Sequence, residues 1–273
     1  APHVIDPVFP GAVDEIINLG QFWNEKGFEN YKEQILAINQ QIKGHFARAY
    51  RYLKAAAYIK NDTENIYENA MNKGRAILFA CKLASEIFRN IQPSDSFGKL
   101  RRMFASGITP GGFTDNLDSL CSGTTIIRLI APTGSNTGEI MEHLKKEALL
   151  RGFYTEAFYC PMDPVRVEHL IIPELNVSVI TANVYHDISD PGGNNCVSYD
   201  LREFHDQSRI GESSDELEFN CTNAEVLMQQ AIKCIGKAKK AHDELERYYI
   251  KNMDFAGLNK LQEELVEKIL NYA

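Results

Sequence analysis

Two groups of residues in this 273-residue chain have the types and spacing to do chemistry. The first is the run Ala131-Pro132-Thr133-Gly134-Ser135-Asn136-Thr137-Gly138, set between a β-branched apolar segment and a helical pattern. A strand, a Gly-containing turn and a helix whose first amides point outward form a cradle for phosphate. Hydrolysis also needs a lysine that reaches the β- and γ-phosphates and a Ser or Thr hydroxyl on magnesium. With Gly138 as the glycine before the lysine, Glu139 stands in the lysine position, Ile140 in the hydroxyl position, and Thr133 replaces the first glycine. A carboxylate there repels phosphate, and isoleucine offers magnesium no oxygen. Phosphoryl transfer rests on positioning and charge neutralisation, so losing both groups removes catalysis. Gly134, Ser135, Asn136, Thr137, Gly138, Glu139 and Ile140 are therefore expected to be degenerate phosphate-loop positions, with no catalytic residue and no metal ligand among them. Their backbone amides could still hold an anion. The plain alternative is an ordinary Gly-containing turn.

The second group is looser. Cys160, His169 and His186 are potential metal ligands, but their spacing matches no zinc pattern, so a core thiol and surface or hydrogen-bonded histidines are expected. Asp163-Pro164 reads as a turn at a strand end, the edge where α/β sheets bind ligands. Glu174 is expected to be a loop acid rather than a general base. Cys121 has no base near it in sequence, which argues against a nucleophile. Asp6-Pro7 and Asp190-Pro191 read as turn formers, and His3 and His186 as histidines bonded to backbone.

The elements that must position these residues follow from apolar periodicity. Helical spacing runs from Asn30 to about Lys60 and again from about Thr63 to Asn90, predicting a long helical hairpin that Gly74 weakens. Pro93 to Gly98 is the best boundary. Beyond it, strands are expected at 124–130, 155–160, 169–172 and 177–181, a weaker one at 196–201, and a helix at 138–151. The pattern is helical again from Asn223, with a break near Met253-Asp254. The fold class expected is α/β: a mainly parallel sheet with flanking helices, plus long α-helical hairpins.

Composition sets outer limits. A net charge of -8 argues against a nucleic-acid footprint, and no apolar run has membrane length. The lysines from Lys233 to Lys240 are soon followed by Asp243, Glu244 and Glu246, as on a solvated helix face. Six scattered cysteines without a C-x-x-C pair predict free thiols in the cytoplasm.

The chain also echoes itself. His-x-Ile-Asp-Pro at 3–7 parallels His-Asp-Ile-Ser-Asp-Pro at 186–191, and AYIKND at 57–62 parallels YYIKNMD at 248–254, a period of roughly 190 residues. The stretch from Phe104 to His186 carries FASGITPGGFTDNLDSL, then the strand-loop-helix, GFYTEAFYCPMDP and HLIIPELNVSVITA. It resembles the second repeat of a family of uncharacterised prokaryotic ATPase-like proteins with two P-loop NTPase repeats. Residues 1–20 resemble the segment after the last core strand of the first repeat, and Tyr248 to Leu270 the family's C-terminal helices. The resemblance implies that 1–92 is the mostly helical end of repeat one and 93–273 a complete, degenerate repeat two. The family's Gly-Lys-Ser/Thr is Gly138-Glu139-Ile140 here, and the strand-end Asp falls at Thr181.

Three functions are compatible with this pattern. The leading one is a non-catalytic P-loop NTPase-like module with a regulatory or assembly role. The second is an ATP-binding or hydrolysing protein whose active loop lies upstream of Ala1 or on a partner, so that ATP and magnesium are expected only with that missing repeat. The third is a helical protein-interaction module that self-associates or binds a partner protein without nucleotide.

Overall fold

The computed structural model describes residues 9, 11–12, 14–135, 137–188 and 196–272. Contacts divide the chain into two compact units, one spanning Tyr50–Ile232 and one made of the segments through Ala49 and from Lys233. The candidate site lies wholly in the first.

The β-branched runs assemble into a six-stranded sheet in the order β1 (Leu100–Met103), β5 (Thr155–Tyr159), β6 (Val167–Ile172), β7 (Val177–Ala182), β4 (Thr125–Ile130), β8 (Cys196–Asp200). The pairs β1·β5, β4·β7 and β4·β8 are parallel, while β6 runs antiparallel to both neighbours. The sheet is thus mainly parallel, as expected. Alternation along each strand sends side chains to two faces. One face carries Ile127, Leu129, Ala157, Tyr159, Leu170, Ile172 and Val179 into a core with α2 (Lys73–Ile87) and α4 (Gly138–Leu150). The other carries Ile126, Phe158, Ile171 and Ile180 against Ala105, Leu117 and Cys121. Strands buried on both sides read as continuous apolar runs, which is why HLII and VSVIT were visible as strands.

Helix α4 buries Ile140, Met141, Leu144 and Ala148, a helical stripe that meets Ala80, Leu83 and Ala84 of α2. It ends at Gly152, whose φ of +82° lets its amide and that of Phe153 turn back to the carbonyls of Leu149 and Ala148.

Several expectations need correction. The break near residues 61–62 is absent, because α1 runs unbroken from Lys32 to Ala70. The helix stops instead at Met71-Asn72, where the Asn72 side chain accepts from the Arg75 amide at 3.1 Å and caps α2. Gly74 therefore sits in the first turn of α2 and notches nothing. Nor does α2 form a hairpin with α1: it packs on α4. Strand β1 and the antiparallel hairpin of β2 (Ser106–Thr109) and β3 (Gly112–Asp115) were not foreseen. Beyond the sheet, α5 (Gln207–Glu212) and a start of α6 at Ser214 precede the expected helical onset at Asn223. Helix α6 ends at Ile250, and α7 (Phe255–Leu270) begins after Asp254, whose carboxylate accepts from the Gly257 amide at 3.0 Å, so the break at 253–254 is where it was placed.

In the second unit, Ile38 and Ile42 of α1 pack with Ala241 and Leu245 of α6. Trp23 and Phe28 lean on Tyr249, and backbone bonds join Asn24 to Asn252 and Asp254 to Phe22, each at 2.8 Å. Among the described residues no helix is long and apolar enough to cross a membrane.

Candidate functional site

The loop from Ala131 to Thr137 leaves the C-terminal end of β4, at the edge of the sheet where α/β folds bind ligands. Its conformation is closed in on itself. Gly134 takes φ +89°, the Ser135 amide donates to the Pro132 carbonyl at 2.9 Å, and the Thr137 hydroxyl meets that of Thr181 at 2.9 Å, buried. A Cβ placed on Gly134 would lie 2.6 Å from Thr63 Cγ2 of α1, so that helix rests directly on the turn. Ile140 is 3% exposed and faces the α2–α4 core, away from any phosphate, while Glu139 is exposed beside Ala76 and Ile77 of α2. Gly138 begins α4 and is buried. Asn136, His3, Asp6-Pro7 and Asp190-Pro191 lie outside the described residues.

Next to this loop opens a cavity of about 230 Å³. Its walls come from α1 (Lys60, Thr63, Tyr67), β3 (Phe113), the turns after β4, β5 and β7, and α6 (Asn220, Cys221, Met228). Polar bonds tie the helical wall in place: Asn220 donates to Asp62 at 2.7 Å, and Tyr185 donates to Glu225 at 3.0 Å. Burial, then that Glu225 partner, pushes the Tyr185 phenol up to about 12, so it remains a donor at every relevant pH.

The cavity's chemistry gathers at Cys160, Arg166, Glu168, His169 and His186. Cys160 follows β5, and its loop is closed by the Cys160 amide donating to the Arg166 carbonyl at 3.0 Å and the Arg166 amide to the Asp163 carbonyl at 3.0 Å. Asp163 is thus a turn former, as expected. The Cys160 Sγ has Lys60 Nζ and Arg166 Nη2 each 3.6 Å away. Arg166 also pairs with Glu64 and, at 3.4 Å, with Glu168. Burial works against its charge, but Cys160, Glu64 and Glu168 outweigh it and hold the guanidinium well above its ordinary range.

Glu168 occupies a β-bulge. Phe158 pairs with His169 but the next residue, Tyr159, pairs with Val167, which leaves Glu168 as an extra residue in the ladder. In regular alternation Glu168 and His169 would face opposite sides. The bulge re-aims the carboxylate, and ligand atoms of Glu168, His169 and His186 all lie within 4.8 Å of one another. His186 is placed by a tight turn after β7. The Asn183 side chain accepts from the amides of Tyr185 at 2.9 Å and His186 at 3.2 Å. Asp187 then takes a two-pronged grip from Arg128 of β4, with contacts of 2.6 to 3.0 Å.

This cluster is deeply buried: Glu168 is 6%, His169 1% and His186 5% exposed. His186 Nε2 lies 3.3 Å from Glu168 Oε2, an ion-pair distance, and among the described residues that oxygen accepts no hydrogen bond. Both ring nitrogens of His169 and Nδ1 of His186 are likewise without partners among the described residues. Burial would raise Glu168, but His186, Lys60 and His169 pull it far below the usual carboxylate range. Burial, with His186 adding to it, drives His169 down to about 3, so it is neutral at pH 7.

The structure thus brings His169 and His186 together in the interior, where surface or hydrogen-bonded histidines were expected, and adds Glu168, which sequence spacing had not singled out. Cys160 stands beside two cations instead. Glu174, exposed in the β6–β7 connection where it accepts from the Tyr154 amide at 3.2 Å, is at the far edge of the sheet. Cys121 is buried in the opposite core, and burial raises its thiol. Comparison with protein-family profiles, with curated proteins and with solved structures returned no match.

Proposed function

We propose that this chain is a P-loop NTPase-like module that does not hydrolyse nucleotide and has a regulatory or assembly role in an ATPase-related protein. The observation that carries the reading is the orientation of Ile140. The position that would hold magnesium is part of the hydrophobic core, and the neighbouring lysine position is an exposed glutamate. Three further points support it. Thr181 replaces the strand-end acid and is engaged by Thr137. The Ser135 amide is already bonded within the turn, and Thr63 fills the space over Gly134. Exposed apolar side chains on three helices (Tyr58 at 77%, Leu78 at 71%, Phe219 at 65%) leave surface open to contact with a partner.

Titration calorimetry of the chain with ATP and magnesium, paired with a phosphate-release assay, tests the reading. Neither micromolar magnesium-dependent binding nor turnover is expected. Magnesium-dependent binding accompanied by turnover would overturn it.

A further inference from the structure

We propose that Glu168, His169 and His186 form a site for a first-row divalent transition-metal ion, zinc foremost, with an open coordination position facing the cavity. The site is separate from the degenerate phosphate loop and does not depend on how that loop is read.

The donor set comes first. Two imidazoles and one carboxylate are the ligands of open zinc and non-haem iron sites, whereas magnesium and calcium take oxygen ligands almost exclusively. Geometry comes second. Zinc bonds of about 2.0–2.1 Å in a tetrahedron set neighbouring donors about 3.3–3.4 Å apart. His186 Nε2 and Glu168 Oε2 are 3.3 Å apart, spaced as one edge of such a tetrahedron. All three ligand atoms lie within 4.8 Å of one another.

The third argument is polar accounting. A buried imidazole normally bonds through at least one nitrogen, because an unmet buried polar atom loses its hydration without compensation. His169 is 1% exposed with neither nitrogen partnered among the described residues, next to an unpartnered carboxylate oxygen and an unpartnered nitrogen of His186. A cation accepted by these lone pairs satisfies several atoms together. It also requires neutral imidazoles and an ionised carboxylate.

Outside the ligands, Arg166 donates to Glu168 Oε1 at 3.4 Å and leaves Oε2 for the metal, as an outer partner should. Glu168 and His186 line the cavity and His169 does not, so the open position points into the 230 Å³ space and would take water or an anionic ligand. The nearby charges are Lys60, Arg166 and Glu64; the two cations favour an anion as that ligand.

The test uses the full chain stripped with a chelator and titrated with zinc chloride, bound metal being counted by mass spectrometry. One equivalent is expected in the wild type. Glu168→Gln and His186→Gln should each weaken binding at least tenfold, while His242→Ala, in the exposed His242–Asp243–Glu246 group, should leave it intact. Failure to bind one equivalent overturns the proposal, as does binding that survives both site variants or is lost in His242→Ala. Cobalt substitution of the wild-type chain keeps the test open if a variant does not fold. A visible cobalt spectrum without a thiolate charge-transfer band is expected, and a spectrum with that band would overturn the assignment.

Discussion

Gly134 and Ile140 show how single positions decide what the β4–α4 turn can do. At Gly134 two constraints coincide, a positive φ and the methyl of Thr63 at 2.6 Å from any added Cβ. Gly134→Ala should therefore destabilise the chain by about 1–3 kcal/mol in urea denaturation. Thr63→Ser removes the clashing methyl but not the φ strain, so the double variant should recover only part of that loss. Ile140→Ser supplies the hydroxyl that magnesium would need, but delivers it to the core. It should cost about 2–4 kcal/mol through a cavity and a buried hydroxyl. Even combined with Glu139→Lys it should not create magnesium-dependent ATP binding, and calorimetry showing such binding would refute the orientation argued here.

At the scale of elements, α4 is fixed by the side chains it places between the sheet and α2. Leu144, 0% exposed in that layer, should cost about 2–5 kcal/mol on replacement by alanine, read from the denaturation midpoint. The elements were largely legible in the sequence where burial was two-sided or a stripe was long: β4, β5, β6, β7 and α4 announced themselves by apolar content alone. Strand β1 did not, because Leu-Arg-Arg-Met is an exposed edge strand whose charges suit that edge and hide its pairing. The β2–β3 hairpin is short and Gly-rich, with Gly112 at φ +116° in the turn, and gave no alternation to read. The helix break was misplaced because Asn61-Asp62 resembles a stop, whereas the capping Asn72 sets the actual boundary. The site was half legible. His169 and His186 were named, but their meeting depends on strand order and on the irregular pairing at Glu168, and neither is written in linear spacing.

For the whole molecule, acid is the informative perturbation. His169 has a folded pKa of about 3 against about 6.5 unfolded, so below pH 6.5 the unfolded state binds the extra proton and stability falls with pH. His205, also lowered by burial, acts in the same direction. Glu168, depressed in the fold, adds stability that is present above its unfolded value near 4.5 and disappears as pH drops below it. Melting temperature should therefore decline from pH 6.5 toward 4, and His169→Gln should flatten that decline. A wild-type melting profile that is level across this range would count against the burial of a neutral imidazole. A net charge of -8 at neutrality moves toward zero over the same range, so the scans belong at low protein concentration.

The irregular pairing of β5 with β6 has an evolutionary and practical consequence. Because Glu168 is the residue that interrupts the β5–β6 ladder between His169 and Val167, its deletion would bring Tyr159 opposite Val167 in unbroken register. The carboxylate could thus be gained or lost in a lineage by a single codon insertion or deletion, with the sheet conserved on either side of the event. A chain lacking residue 168 is accordingly the cleanest knockout, one that removes the chemistry and leaves a more regular scaffold behind.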